Sequence, residues 1–117
     1  MKYFELHEFR CPCCGRADMQ SPFLTQLDQA REWAGVAFHI NSGFRCAHHN
    51  RAVGGKPGSS HTLGLAVDLK AIESGSRFHM IRGLLQAGFK RIGVDVKRGF
   101  LHVDADASKP QQVMWGY

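Results

Sequence analysis

Two short segments in the second half of the chain alternate apolar and polar side chains, which is the pattern of a half-buried β-strand. The first, GLAVDL, occupies residues 64–69 and places Asp68 opposite an apolar row. The second, FLHVD, occupies residues 100–104 and separates His102 and Asp104 from its apolar side chains. Successive strand side chains point to opposite faces, so two such strands in one sheet bring these three polar residues to a common face.

A third donor, His61, lies in the segment that enters the first of these strands. Gly64 and Ala66 are small and keep the polar face low, which leaves room for an ion and a substrate. A histidine or aspartate standing alone is more often structural, a satisfied side chain or a turn former. Two imidazoles and one of the two carboxylates on a compatible face instead predict a zinc site, with a fourth position open to water and the second carboxylate left over.

The same residues carry a family resemblance. The pattern S-x-H-x-x-G-x-A-x-D of residues 59–68, followed by H-x-D at 102–104, resembles the zinc-ligand signature of the D-alanyl-D-alanine carboxypeptidases. That family's relatives include the L-alanyl-D-glutamate endopeptidases of phage lysins, and the group shares its fold with the Hedgehog signalling domain. The segment NSGFR at 41–45, with Asn50 and VGG at 53–55 after it, is similar to the family's run ahead of the first ligand.

The resemblance implies that His61, Asp68 and His102 hold the zinc ion. It further implies a zinc metallopeptidase that cleaves peptidoglycan stem or cross-bridge peptides at a bond involving a D-amino acid. A carboxypeptidase and an endopeptidase are both compatible with it. It also implies an α+β fold in which helices pack on one side of a small, mainly antiparallel sheet. The 117 residues fit one domain spanning 1–117. The alternative is a non-catalytic wall-binding or virion domain that keeps the fold and the zinc, as the Hedgehog domain does.

Asp104 is the predicted general base and then acid, since it lies two residues from His102 on the same strand face. Many relatives instead carry the acid three residues before the second histidine ligand, where this chain has Gly99. A subset resembles this chain in carrying His-x-Asp. The other reading of Asp104 is an outer-sphere partner that orients a histidine ligand.

Arg45 is the second predicted catalytic residue. A guanidinium there can clamp a substrate carboxylate through two hydrogen bonds, or stabilise the oxyanion that forms as water attacks. The family's matching arginine is interpreted in this way. From the sequence alone, a surface salt bridge explains Arg45 nearly as well.

The net charge of the chain bears on the kind of partner that it binds. The formal net charge of +5 and a pI near 9.3 suggest an anionic partner. Lys and Arg are scattered rather than clustered on a helix, so the charge by itself does not decide between an anionic cell wall and simple solubility. With the family resemblance, we expect a peptidoglycan peptide as the partner and no nucleic acid. We also expect a monomer without a membrane span. No signal peptide is visible at the start, so we expect a cytoplasmic, phage-like enzyme released by lysis, or one carried on a virion.

The four cysteines permit two readings. The run CPCCG at residues 11–15 can begin a zinc knuckle completed by Cys46, His48 or His49, although a second Cys-x-x-Cys pair is absent. The favoured reading is free thiols with a contact between Cys11 and Cys46. A structural metal is the alternative.

The pattern of the remaining segments predicts the elements around the site. Ser21 and Pro22 start a helix that ends at Gly35, a short strand covers 36–40, and a brief helix covers 46–53. A helix at 76–87 buries one face, and residues 91–104 form a hairpin. That buried face is predicted to consist of Phe78, Ile81, Leu84 and Leu85.

Overall fold

A computed structural model describes residues 1–117 and arranges them as a five-stranded sheet with three α-helices. The strands lie in the order β1-β2-β4-β3-β5, and every neighbouring pair is antiparallel except β3 and β5. The strands are β1 (Ile40–Ser42), β2 (Ala66–Lys70), β3 (Arg91–Asp95), β4 (Phe100–Asp104) and β5 (Val113–Gly116), and the helices are α1 (Ser21–Ala34), α2 (Ala47–Ala52) and α3 (Ser74–Gln86). Two short 3₁₀ helices cover Leu6–Phe9 and Ser60–Leu63. The α+β, mainly antiparallel fold predicted from the sequence is confirmed.

The central pair, β2 and β4, has the register that the alternating patterns required. Asp68 lies opposite His102, and Ala66 lies opposite Asp104. The apolar residues between them point to the other face, where they form the core with α1 and α3. The sheet therefore separates a hydrophobic face covered by helices from a polar face that carries the predicted site.

The two long helices, α1 and α3, approach each other closely because α3 has a glycine at the point of contact. Gly83 of α3 lies so near α1 that an added Cβ would come within 2.6 Å of the Ala30 carbonyl oxygen. The stripe of α3 that faces the core is therefore centred on Met80, Gly83 and Leu84, all of which are buried. The predicted buried face was wrong for Phe78 and Leu85, which are 67% and 51% exposed.

Other boundaries shift by a few residues. Helix α1 has Gln20 rather than Ser21 as its N-cap, and it ends at Gly35, whose positive φ of 68° closes the helix. Strand β1 begins at Ile40, so the strand predicted at 36–40 lies further along the chain. The brief helix and the β3–β4 hairpin form where they were predicted.

Strand β5 was not anticipated. It pairs in parallel with β3, with Trp115 opposite Gly93, and brings the C-terminal segment to the polar face of the sheet. No helix in the fold has both the length and the apolar character needed to cross a membrane.

Candidate metal centre

His61 is held by its own turn and by the loop after β1. The Ser59 hydroxyl oxygen accepts a hydrogen bond from the His61 backbone N–H at 3.3 Å. The imidazole Nδ1 lies 2.8 Å from the Gly43 carbonyl oxygen, and a carbonyl can only accept, so Nδ1 carries the proton. The other nitrogen, Nε2, is directed at Asp68, 3.3 Å from its Oδ1.

His102 is fixed in the same manner from the opposite side. Its Nε2 lies 2.7 Å from Asp104 Oδ2, while its Nδ1 lies 3.1 Å from Asp68 Oδ1. The rings of His61 and His102 meet edge to face, with their centroids 5.3 Å apart. One donor atom from each of His61, Asp68 and His102 lies within 4.8 Å of the other two.

This donor set suits a zinc ion. Zinc is bound by imidazole nitrogen and carboxylate oxygen at about 2.0–2.2 Å, so donors on opposite sides of one ion stand roughly 3–4 Å apart. Ligating histidines usually donate their second N–H to a carbonyl or carboxylate, which fixes the ring and its tautomer. Here Gly43 performs that task for His61, and Asp104 performs it for His102.

The charges of the site are strongly coupled. Burial alone would raise the pKa of Asp68, but hydrogen bonds with His102 and His61 hold that pKa well below its usual range. Burial lowers the pKa of His102, and the carboxylates of Asp104 and Asp68 more than offset this and raise it. A carboxylate that stays ionised between two imidazoles is the electrostatic requirement for holding a cation.

Asp104 lies behind His102 rather than in the cleft. Its side chain is 1% exposed, and its Oδ1 accepts hydrogen bonds from Arg91 Nε at 2.8 Å and from the Asp106 backbone N–H at 3.1 Å. Burial raises the pKa of Asp104, but the bonds from His102 and Asp106 lower it overall. Both carboxylate oxygens are therefore engaged inside the protein.

Arg45 is held rigidly beside Asp68. Its Nη2 lies 3.2 Å from Asp68 Oδ2, while Nε donates to the Ser42 hydroxyl and Nη1 donates to the Asn50 side-chain oxygen. The side chain is 16% exposed. Arg45 therefore does not form the surface salt bridge that its sequence position allowed, and it braces the oxygen of Asp68 that points away from the histidines.

The three candidate ligands and Arg45 line one cleft of about 360 Å³. Its walls combine the candidate ligands with four cationic side chains, and Asp68 is the one carboxylate among them. The cationic residues are Arg45, Lys56, Arg98 and Lys109. Tyr117 and Phe100 pack against each other in its wall, with their ring centroids 5.4 Å apart and their planes tilted by 48°. The cleft is thus suited to a ligand that carries negative charge.

A supporting network near the cleft was not predicted from the sequence. Asp106 is 3% exposed, and its Oδ2 accepts a hydrogen bond of 2.7 Å from the Ser60 hydroxyl. Lys109 donates to the same Ser60 oxygen at 2.7 Å. Hydrogen bonds from Ser108 are the main cause that lowers the pKa of Asp106 to about 2. The only signal for this role was the continued spacing from Asp104 to Asp106.

Arg91 and Trp115 complete the enclosure of His102. The sequence suggests that Trp115 in the C-terminal segment covers the core or lines a cleft, but it does not predict the role of Arg91. Trp115 packs over Gly93, where an added Cβ would lie 2.7 Å from the indole nitrogen. Its ring centroid is 5.7 Å from that of His102, and the Arg91 guanidinium lies 4.9 Å from the indole. A glycine on the site face of β3 is what admits the tryptophan.

Gly99 also has a structural reason to be glycine. Its φ is +75°, and a Cβ there would approach the Ile72 side chain to 2.9 Å. A side chain at this position would be strained in this chain.

Comparison with known proteins places this geometry in a family. A family model described as Peptidase M15 matches residues 2–104, which is most of the chain and includes every candidate ligand. The chain belongs to the peptidase M15 family. A search of curated proteins found none that matches it. The resemblance inferred from the zinc-ligand pattern is confirmed, and membership of M15 identifies the protein as a peptidase whose substrate is a peptide.

Proposed function

We propose that this M15 peptidase binds one zinc ion through His61, Asp68 and His102 and hydrolyses peptide bonds of bacterial peptidoglycan. The observation that carries the proposal is the convergence of His61 Nε2, Asp68 Oδ1 and His102 Nδ1 at the cleft, with the second nitrogen of each ring already engaged. A zinc ion in such a site lowers the pKa of water to about 7 and polarises a carbonyl oxygen.

The charge of the cleft supports a peptidoglycan substrate. Stem peptides carry free carboxylates, and the cleft offers four cationic side chains against the single carboxylate of Asp68. Of the three that stand free of the ligand trio, Arg98 pairs with Asp95 at 3.7 Å and Lys109 with Asp106 at 3.5 Å. Lys56 has no carboxylate partner, so it is the one best placed to neutralise and orient an anionic peptide. This arrangement does not favour one bond over another, and both carboxypeptidase and endopeptidase action fit it.

Asp104 supports the centre through His102 in this proposal. Its contacts with His102, Arg91 and the Asp106 backbone leave neither oxygen facing the cleft. Such a carboxylate holds the imidazole in the tautomer whose Nδ1 is free to bind a cation. The general-base role predicted from the sequence requires an approach to the substrate, and it stays a prediction that substitution of Asp104 tests.

Arg45 has two proposed roles, which are to position Asp68 and to stabilise the oxyanion. Its guanidinium holds Asp68 Oδ2 and so fixes which carboxylate oxygen faces the histidines. Because Arg45 also lines the cleft, its charge lies close to the position of a carbonyl oxygen that becomes negative during hydrolysis. We therefore favour the oxyanion role over a clamp on the substrate's C-terminal carboxylate.

One observation favours the second candidate, a non-catalytic zinc-binding domain on the cell wall or a virion. Asp68 is the only carboxylate that lines the cleft, and an ion-paired ligand is a poor proton acceptor. A domain that only binds peptidoglycan needs the cationic cleft and the ion but no further acid.

Digestion of purified peptidoglycan separates the two functions. Zinc-loaded protein is incubated with the sacculi, and the released peptides are identified by mass spectrometry, with His61→Ala as the matched control. We expect peptides with new termini next to a D-amino acid from the wild type and none from the variant. Sedimentation of intact protein with the sacculi, without release of any peptide, would overturn the peptidase and support the binding domain.

A further inference from the structure

Three of the four cysteines converge at a second place in the molecule, next to the segment that carries Arg45. The sulfurs of Cys11, Cys14 and Cys46 lie within 4.8 Å of one another, and those of Cys11 and Cys46 are 3.7 Å apart. All three are free thiols. The Cys11–Cys46 contact expected from the sequence is therefore present, but Cys14 joins it.

These distances match a shared metal ion better than a disulfide. A disulfide needs a sulfur–sulfur distance of about 2.05 Å. Two thiolates bound tetrahedrally to one zinc at about 2.3 Å stand roughly 3.8 Å apart. The pair at 3.7 Å already has the separation that a tetrahedral ion imposes.

The backbone around the sulfurs has the form of a metal knuckle. Cys11 and Cys14 are separated by two residues, and Gly15 follows with a φ of +76° that turns the chain back, its N–H donating to the Cys11 carbonyl at 2.8 Å. Backbone N–H groups point at two of the sulfurs, that of Cys46 at Cys11 Sγ and that of His49 at Cys46 Sγ. Such donors stabilise the thiolate form, which is the form that binds metal.

We propose that Cys11, Cys14 and Cys46 form a second, structural zinc site that fastens the N-terminal segment to the start of α2. Three thiolates and Zn²⁺ carry a net charge of −1. Cys14 is exposed, so the site can be reached from solvent.

The site adjoins the support of the first metal centre. Cys46 follows Arg45 directly, and the N–H of Phe44 donates to the Phe9 carbonyl at 2.9 Å, so the segment before Cys11 packs on the segment that carries Gly43 and Arg45. An ion at the cysteines would tie these two segments together. Its expected role is stability of this wall of the cleft, independent of whether the protein cleaves peptidoglycan.

Zinc stoichiometry of the full chain, purified under reducing conditions, tests the site. Zinc is measured by elemental analysis, and the fraction held by thiolates is measured as zinc released by a mercurial reagent to a chromogenic chelator. We expect two zinc ions per chain in the wild type, one of them released by the mercurial. Cys14→Ser should lose that ion and melt at a lower temperature, whereas the neighbouring exposed Cys13→Ser should keep it.

The His61→Ala variant allows the cysteine site to be measured separately from the His-Asp-His site. His61→Ala should lose the other ion and retain the one released by the mercurial. After removal of that zinc, cobalt(II) added to the variant should show thiolate-to-cobalt charge-transfer absorption. If His61→Ala holds no metal and gives no such absorption, the cysteine site is overturned whatever the peptidase assay shows. A Cys11–Cys46 disulfide found by mass spectrometry in the native protein would overturn it equally, as would loss of the ion in Cys13→Ser.

Discussion

Replacement of Asp104 by asparagine distinguishes a general base from a residue that orients His102. The contacts of the carboxylate determine the orientation of the amide that replaces it. Oδ1 accepts hydrogen bonds from Arg91 and from the Asp106 N–H, so the amide oxygen of the substituted side chain has to occupy that position. The amide NH₂ then faces His102 Nε2, which must become an acceptor. The proton of the neutral ring moves to Nδ1, the nitrogen that faces Asp68 and His61.

A protonated Nδ1 cannot bind a metal, so Asp104→Asn should weaken zinc binding. Loss of an outer-sphere partner of a histidine ligand typically costs 10–100-fold in metal affinity, or about 1.4–2.8 kcal/mol. A general base would behave differently, since its loss lowers the rate by about 10²–10⁴-fold at unchanged metal affinity. We expect the weakened affinity, with most of the activity restored when zinc is raised to saturation.

Competition with a chromogenic zinc chelator measures the affinity, and peptide release at limiting and saturating zinc measures the activity. Asp95→Asn is the matched control, because Asp95 is also buried on the hairpin but binds the Arg98 N–H away from the metal centre. Unchanged zinc affinity in Asp104→Asn together with a rate loss of about 10²-fold or more at saturating zinc would refute the orienting role and establish Asp104 as the base.

Three further predictions rest on the same contacts. His61→Ala and His102→Ala should each abolish zinc binding at the His-Asp-His site; retention of non-thiolate zinc in both, measured by elemental analysis, would contradict the ligand set. Arg45→Lys should lower kcat with little change in KM on free and amidated peptides alike, because an ammonium cannot reach the partners of three guanidinium nitrogens; a rise in KM confined to peptides with a free C-terminus would restore the carboxylate clamp. The pKa of Asp106 falls from 3.8 to about 2 on folding, so its stabilising effect is complete above about pH 4 and disappears as the pH falls through 2. A pKa difference of one corresponds to about 1.4 kcal/mol, so Asp106→Asn should lower the free energy of unfolding by up to about 2 kcal/mol at pH 7 and by less at pH 3. Urea unfolding measures this free energy, and an equal loss at both pH values would contradict the linkage between the pKa of Asp106 and stability.

The sequence predicted which face of the sheet carries Asp68 and His102 because strand periodicity is a local property. The alternation in β2 and β4 assigns Asp68 and His102 to one side of their strands without knowledge of the partner strand. Once β2 and β4 pair, burial of their apolar face fixes the register, because a slip of one residue would expose that face. The helix ends and the hairpin were predictable for the same reason, because glycine and proline act on their own turn.

The sequence could not predict the tasks of residues that meet only through the sheet order. Asp104 was assigned a place in the cleft because its strand face was known, whereas its two oxygens are engaged by His102, by Arg91 and by the segment after β4. Arg91 reaches Asp104 only because β3 pairs with β4, and Cys14 meets Cys46 across 31 intervening residues. The face of α3 that is buried was likewise decided by the close approach of Gly83 to α1 rather than by the hydrophobicity of α3 itself. Periodicity determines which side of an element a residue occupies, and only the packing of other elements against that side determines whether the residue faces a ligand, a partner or the core.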